Sequence, residues 1–139
     1  MEKRARPPYD RPSTKMVLVI EDNPSFCKLL AFYLKQAGYY PFVSTDPEDV
    51  LTLLRSVVIE IIILDLILPG LDSVALVREI ERRKRRTAPI LLISAHEQGS
   101  SRAQEINAEG FLMKPFSFPK LIQLAETLVE AHAAQRRGE

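Results

Sequence analysis

The run Ile59-Glu60-Ile61-Ile62-Ile63-Leu64-Asp65 constrains the fold more than any other stretch of the chain. A segment this dense in β-branched and apolar residues reads as a strand buried on both faces, the pattern of a parallel sheet covered by helices. Polarity returns as a single carboxylate, Asp65, and Leu66-Ile67-Leu68-Pro69-Gly70 then carries a loop signal toward the next helix. Open α/β sheets bind ligands beyond the carboxyl ends of their strands. Asp65 is therefore a candidate site residue, although a helix cap or a solvated loop acid explains it equally well when it is taken alone.

Other strands reach the same edge. Met16-Val17-Leu18-Val19-Ile20 is a short apolar run ending in Glu21-Asp22, and Asn23-Pro24 then supplies a helix cap and a proline for the first helical position. Phe26, Leu29, Leu30, Tyr33, Leu34 and Ala37 recur at helical spacing up to the stop at Gly38. Residues 40–44 form a weaker strand, placed toward the sheet edge by Pro41. Asp46-Pro47-Glu48-Asp49 opens a second helix with Val50, Leu53, Leu54 and Val57 as its buried stripe. After the central strand, Val74, Val77 and Ile80 mark the inner face of a third helix over 71–84. Pro89-Ile90-Leu91-Leu92-Ile93 is a fourth strand ending in Ser94-Ala95, followed by a helix over 100–108. Phe111-Leu112-Met113 is a fifth strand ending in Lys114-Pro115, and a last helix spans 118–134 with Leu121, Leu124, Ala125, Leu128 and His132 on one stripe.

Strands alternating with helices in this way predict an α/β fold: a doubly wound, five-stranded parallel sheet with five helices, of flavodoxin-like order 2-1-3-4-5. The 139 residues suit one domain. We expect a domain over 15–136, a basic, proline-rich and disordered arm over 1–14, and a short tail at 137–139. The first fifteen residues carry Lys3, Arg4, Arg6, Arg11 and Lys15 against Glu2 and Asp10. A second basic run, Arg82-Arg83-Lys84-Arg85-Arg86, closes the third helix as a solvated helix end. The net charge of +1 does not argue for nucleic-acid binding. No apolar stretch is long enough to span a bilayer and no secretory leader pattern opens the chain. Cys27 is the only cysteine, which suits a reducing cytoplasm and a packing role. His96 and His132 are far apart in sequence, so no zinc pattern arises.

With the first and third strands as neighbours, Glu21, Asp22 and Asp65 share one edge with Ser94 and Lys114. Three acids against one lysine repel one another, which raises carboxylate pKa values unless a cation enters. A hard, oxygen-liganded ion such as Mg²⁺ suits that demand, and a phosphoryl group could then accept from Lys114 and the Ser94 hydroxyl. Singly, each residue has a plain structural reading: Glu21-Asp22 as helix cap, Lys114 as surface lysine, Ser94 as a strand-end hydroxyl and Phe111 as core. Their coincidence at one edge favours a site.

The pieces Val19-Ile20-Glu21-Asp22-Asn23, Ile63-Leu64-Asp65-Leu66-Ile67-Leu68-Pro69-Gly70, Leu92-Ile93-Ser94-Ala95 and Phe111-Leu112-Met113-Lys114-Pro115-Phe116 together resemble the receiver domains of two-component response regulators. The resemblance covers residues 16–134. It implies that Asp65 accepts a phosphoryl group from a sensor histidine kinase or phosphotransfer protein. It also implies that Glu21, Asp22, Asp65 and the backbone carbonyl of Ile67 bind Mg²⁺ (or Mn²⁺), directly or through water. Ser94 resembles the switch hydroxyl, Phe111 the switch aromatic, and Lys114 the phosphate-pairing lysine, with a cis bond before Pro115. The implied output is a change in the surface of the fourth helix, fifth strand and fifth helix. That surface would meet a downstream effector, an output domain in the same chain or a second copy. Two departures stand out: Ser73 replaces a frequent glycine at the start of helix three, and Val57-Val58-Ile59-Glu60 lacks the usual Pro-Asp. In this family Ile67 and His96 occupy positions that tune phosphoryl loss, and bulky Ile67 implies slow self-dephosphorylation. The rival readings are a phosphorylation-independent interaction module on the same fold and an aspartyl phosphohydrolase. The second is disfavoured because Ile67 cannot act as acid or base. A dinucleotide enzyme is disfavoured because no Gly-x-Gly-x-x-Gly follows the first strand.

Overall fold

The computed structural model describes residues 15–83, 88–95 and 99–138. Five parallel strands, β1 (Lys15–Ile20), β2 (Tyr39–Val43), β3 (Ile59–Asp65), β4 (Ile90–Ser94) and β5 (Gly110–Met113), hydrogen-bond in the order 2-1-3-4-5. Between and after them run α1 (Pro24–Gln36), α2 (Pro47–Ser56), α3 (Ser73–Arg82), α4 (Gly99–Glu105) and α5 (Phe118–Arg136). The flavodoxin-like architecture expected from the strand pattern is the one observed. The proposed arm, Lys84, Arg85 and Arg86 of the basic run, and His96 lie outside the described residues.

Alternation along the strands sorts the core into two layers. Leu18, Ile20, Ile62, Leu64, Ile90 and Leu92 pack with Val50 and Leu54 of α2, Val77 and Ile80 of α3 and Ala103 of α4. Val17, Val19, Ile61, Ile63, Leu91 and Ile93 pack instead with Leu30 and Leu34 of α1 and Leu121, Ala125 and Val129 of α5. The isoleucine run of β3 thus feeds both layers, which is why it shows no polar alternation. Each fully buried Ile or Leu contributes on the order of 1.5–3 kcal/mol.

Helix starts follow the local chemistry. Asn23, Asp46, Asp72 and Ser117 each accept a backbone N–H of the first turn, from Phe26, Glu48, Ala75 and Lys120 respectively. Several expectations shift. Helix three starts at Ser73 because Ile67–Leu68 pairs antiparallel with Leu71–Asp72, a small ribbon turning at Pro69-Gly70 with Gly70 at φ 74°. Helix four ends at Glu105, and Asn107 then takes a left-handed conformation at φ 53°. Leu29 is exposed rather than core, and Leu51, which the stripe reading omitted, is buried. Among the described residues strand β2 pairs with β1 alone, so its edge position holds.

Candidate functional site

The site lies beyond the carboxyl ends of β1, β3, β4 and β5. Strand β1 pairs with β3 (Ile20 opposite Leu64), and β3 pairs with β4 (Asp65 opposite Ile93), so the three strands finish level with one another. The peptide Lys114-Pro115 after β5 is cis. The Lys114 backbone N–H donates to the Ser94 carbonyl at 2.8 Å, which ties the end of β5 to the end of β4.

Asp65, Glu21 and Lys114 meet. The Lys114 Nζ donates to Asp65 Oδ2 at 2.9 Å and to Glu21 Oε2 at 3.2 Å. The remaining oxygens take backbone donors: Asp65 Oδ1 accepts from the Ile67 N–H at 2.9 Å, and Glu21 Oε1 accepts from the Asp22 and Asn23 N–H groups at 3.1 and 3.2 Å. Both acids are buried, and neither is a helix cap; that role falls to Asn23 and Asp72. Burial pushes the Glu21 carboxyl up to about 7, with the neighbouring Asp65 adding to the rise. Burial pulls the Lys114 ammonium down, but Asp65 and Glu21 outweigh it and its pKa ends above the ordinary lysine value.

The other candidates take separate places. Asp22 stands at the same edge with an exposed side chain. Ile67 follows Asp65 with its side chain about half exposed. Ser94 is fully buried at the end of β4. Phe111 packs on the α2–α3–α4 side of the sheet, its ring lying against Gly99: a Cβ on that glycine would sit 2.5 Å from the ring and 3.2 Å from the Ser94 Cβ. Ser94 and Phe111 therefore share one neighbourhood.

Three contacts were not foreseen. The Ser73 hydroxyl, buried, donates to the main-chain carbonyl of Asp65 at 2.8 Å. The serine at the start of α3 therefore reaches the backbone at the end of β3 and is not confined to the helix start. Lys114 Nζ also lies 4.6 Å from the centre of the Phe26 ring. Cys27 Sγ lies 3.4 Å from the Glu21 carbonyl oxygen, and burial followed by the charges of Glu21 and Asp22 pushes its thiol up to about 11. It is a packed thiol with little thiolate character.

Among the described residues, no three of His, Cys, Asp and Glu are grouped so as to wrap an ion unaided. Mg²⁺ does not demand that, since it keeps several waters and takes one or two carboxylates. Two buried carboxylates served by one ammonium, one of them with its pKa pushed up to about 7, form a hard-oxygen donor set that a small divalent cation would relieve.

Residues 17–126 match the family described as the response regulator receiver domain. The chain is 32% identical over 126 residues to the transcriptional regulatory protein BaeR of Escherichia coli O6:H1, covering 89% of this chain and 52% of that protein, so it spans about half the length of that relative. Among solved structures, it superimposes on the signal receiver domain of a LuxO repressor protein from Vibrio parahaemolyticus with a TM-score of 0.79 at 23% identity, covering 91% of this chain and 98% of that one. NtrX from Brucella abortus gives a TM-score of 0.78 at 28% identity, covering 88% of this chain and 28% of that chain. With the sheet order, the acid–lysine cluster and the matched span in agreement, the chain belongs to the response regulator receiver domain family.

Proposed function

We propose that this receiver domain, over residues 15–136, is a phosphorylation-driven switch in which Asp65 takes a phosphoryl group in a Mg²⁺-dependent reaction. The observation that carries the reading is the double engagement of Lys114 Nζ by Asp65 at 2.9 Å and Glu21 at 3.2 Å at the strand ends. An Asp65 carboxylate oxygen attacks the phosphorus of a phosphohistidine on the partner kinase or phosphotransfer protein. The P–O bond forms as the P–N bond breaks, and the imidazole nitrogen leaves with the electron pair. Acetyl phosphate serves equally, its P–O bond breaking to release acetate. The Ile67 N–H keeps the Asp65 carboxylate oriented for attack. Lys114 passes from the carboxylate to a phosphoryl oxygen, and the Ser94 hydroxyl donates to another. Glu21, Asp22, Asp65 and the Ile67 carbonyl would hold Mg²⁺ (or Mn²⁺), directly or through water, and the ion would neutralise charge building on the transferring group. The domain is thus a substrate carrying its own catalytic groups rather than a turnover enzyme.

Phosphorylation adds negative charge at Asp65. Drawing Ser94 toward it frees the Phe111 ring to move, and the α4–β5–α5 surface passes the change to an effector, an output domain or a second copy. A cytoplasmic setting belongs to this proposal, as the place where receiver domains meet their kinases. Among the described residues no helix is long and apolar enough to cross a membrane. Ile67, two residues after Asp65 and about half exposed, is the bulky group we expect to hinder attacking water, so the phosphoryl group is long-lived; a half-life of seconds contradicts this point. Intact-mass measurement after incubation with Mg²⁺ and acetyl phosphate tests the whole reading. Gain of one phosphoryl group is expected, and an inert protein supports the phosphorylation-independent interaction module instead.

A further inference from the structure

The cation that faces the acceptor has a third contact that neither carboxylate supplies. Lys114 Nζ sits 4.6 Å from the centre of the Phe26 ring, within the range of a cation–π interaction. Its side chain is only 26% exposed, so the ring meets a partly desolvated ammonium. Phe26 is itself fixed from both ends. Its backbone N–H is held by the Asn23 cap at 3.0 Å, and the Asn23 N–H in turn binds Glu21 Oε1 at 3.2 Å. Its ring packs edge-on to Phe116 (centroids 6.0 Å, 83°) and tilted on Phe118 (5.3 Å), and Tyr33 stacks on Phe118 (5.2 Å, 9°). This aromatic array joins α1 to the segment just after Lys114-Pro115. It is built from residues at both ends of the lysine's own neighbourhood.

We propose that the face of Phe26 is the seat of the Lys114 ammonium, making Phe26 a positioning residue for phosphoryl acceptance at Asp65. The inference rests on the reading that Asp65 takes the phosphoryl group. The physical argument concerns what happens when Lys114 must leave a carboxylate for a phosphoryl oxygen. A lysine has a flexible four-carbon stem and a strongly hydrated head, so an ammonium released from its carboxylate tends to swing into water. An aromatic face holds the charge by its quadrupole without competing for the metal or accepting the proton. The ammonium is then kept at the sheet edge through the exchange, and the entropy of relocating it is avoided.

The test uses the full chain with phenylalanine 26 replaced by analogues carrying one, two and three ring fluorines, which weaken the negative face while leaving its shape nearly unchanged. A Phe26→Trp variant strengthens the face, and Phe26→Leu removes it. Labelling by acetyl phosphate at saturating Mg²⁺ is followed by intact mass, and thermal unfolding is recorded for each protein. The expected result is a stepwise fall in labelling rate with fluorine number, roughly fivefold across the series. Phe26→Trp should label at least as fast as wild type, Phe26→Leu at or below the trifluoro protein, and Tm should not follow the fluorine count. A flat series, or rates that follow Tm, overturns the proposal while leaving the receiver reading intact. A wild-type chain that takes no phosphoryl group overturns both.

Discussion

The two sides of the sheet edge do different work. On the α1–α5 side, Glu21, Asp65 and Lys114 continue the alternation of Val19, Ile63 and Leu112, and they meet through charged hydrogen bonds of 2.9–3.2 Å backed by Phe26. On the α2–α3–α4 side, Ser94 continues the alternation of Leu92, Phe111 lies opposite Leu92 on the neighbouring strand, and the two meet through packing against Gly99. Backbone joins the two: Ser94 and Lys114 share a main-chain hydrogen bond, and each stands next to a residue pointing the other way. Because a strand's period is two, successive residues must serve opposite faces. The proposed switch, from a charge event on one face to a packing event on the other, would therefore have a single residue step to cross.

That contrast is open to attack by mutation. The largest effect is expected for Lys114→Met, which leaves Asp65 and Glu21 facing each other without their cation. The acetyl phosphate labelling rate should fall by about 10²-fold or more, the scale of removing one preorganised donor at a developing charge. Gly99→Ala addresses the other face. Its Cβ would lie 2.5 Å from the Phe111 ring, so destabilisation of about 1–3 kcal/mol in urea unfolding is expected. The double variant Gly99→Ala/Phe111→Ala should recover much of that specific cost, as coupled neighbours do. Phosphoryl labelling of Gly99→Ala should stay near wild type; a collapse like that of Lys114→Met means the faces are not separable. Ser94→Ala falls between, losing roughly ten- to thirtyfold in labelling, the lower end of what one hydrogen bond to a charged oxygen is worth.

The smallest effect is a pH dependence confined to the charged face. Glu21 has an ordinary value of 4.5 and a folded value of about 7, so across that window the folded chain holds a proton that the unfolded chain has lost. Its contribution to stability is full below the window and is lost as pH rises through it. Tm without metal should therefore drop by a few degrees between pH 5 and pH 8, and Glu21→Gln should flatten the drop. Added Mg²⁺ should raise Tm at pH 8 and much less at pH 5, where it must displace that proton. An equal Mg²⁺ response at both values argues against Glu21 as a ligand.

The contrast also marks what could be read from residues alone. Strand order and the arrival of Glu21, Asp65, Ser94 and Lys114 at one edge were legible because buried parallel strands announce themselves and their ends must align. The partition of those residues between faces follows from period two, but only once the register and the helix docking are known. Ser73 was read as a helix-start substitution because nothing local says that its hydroxyl will meet a carbonyl eight residues earlier. The Ile67–Leu68 and Leu71–Asp72 ribbon was missed because two-residue strands carry no periodicity. Phe26 was read as stripe packing; its place under Lys114 depends on how α1 docks beside α5, which sequence spacing does not specify. Leu29 had the right spacing and still points outward, since α1 offers only a narrow strip to the sheet, anchored at Leu30 and Leu34.

The acceptor role of Asp65 is tested most directly by mapping the phosphoryl group. Wild type and Asp65→Asn, the latter checked for an unchanged fold by circular dichroism, are incubated with Mg²⁺ and acetyl phosphate. The acyl phosphate is then located by reductive trapping and peptide mass. A single phosphoryl group on the peptide containing Asp65, absent from Asp65→Asn, is the predicted result. Full labelling of Asp65→Asn, or a modification mapped to another residue of the wild type, would contradict the account.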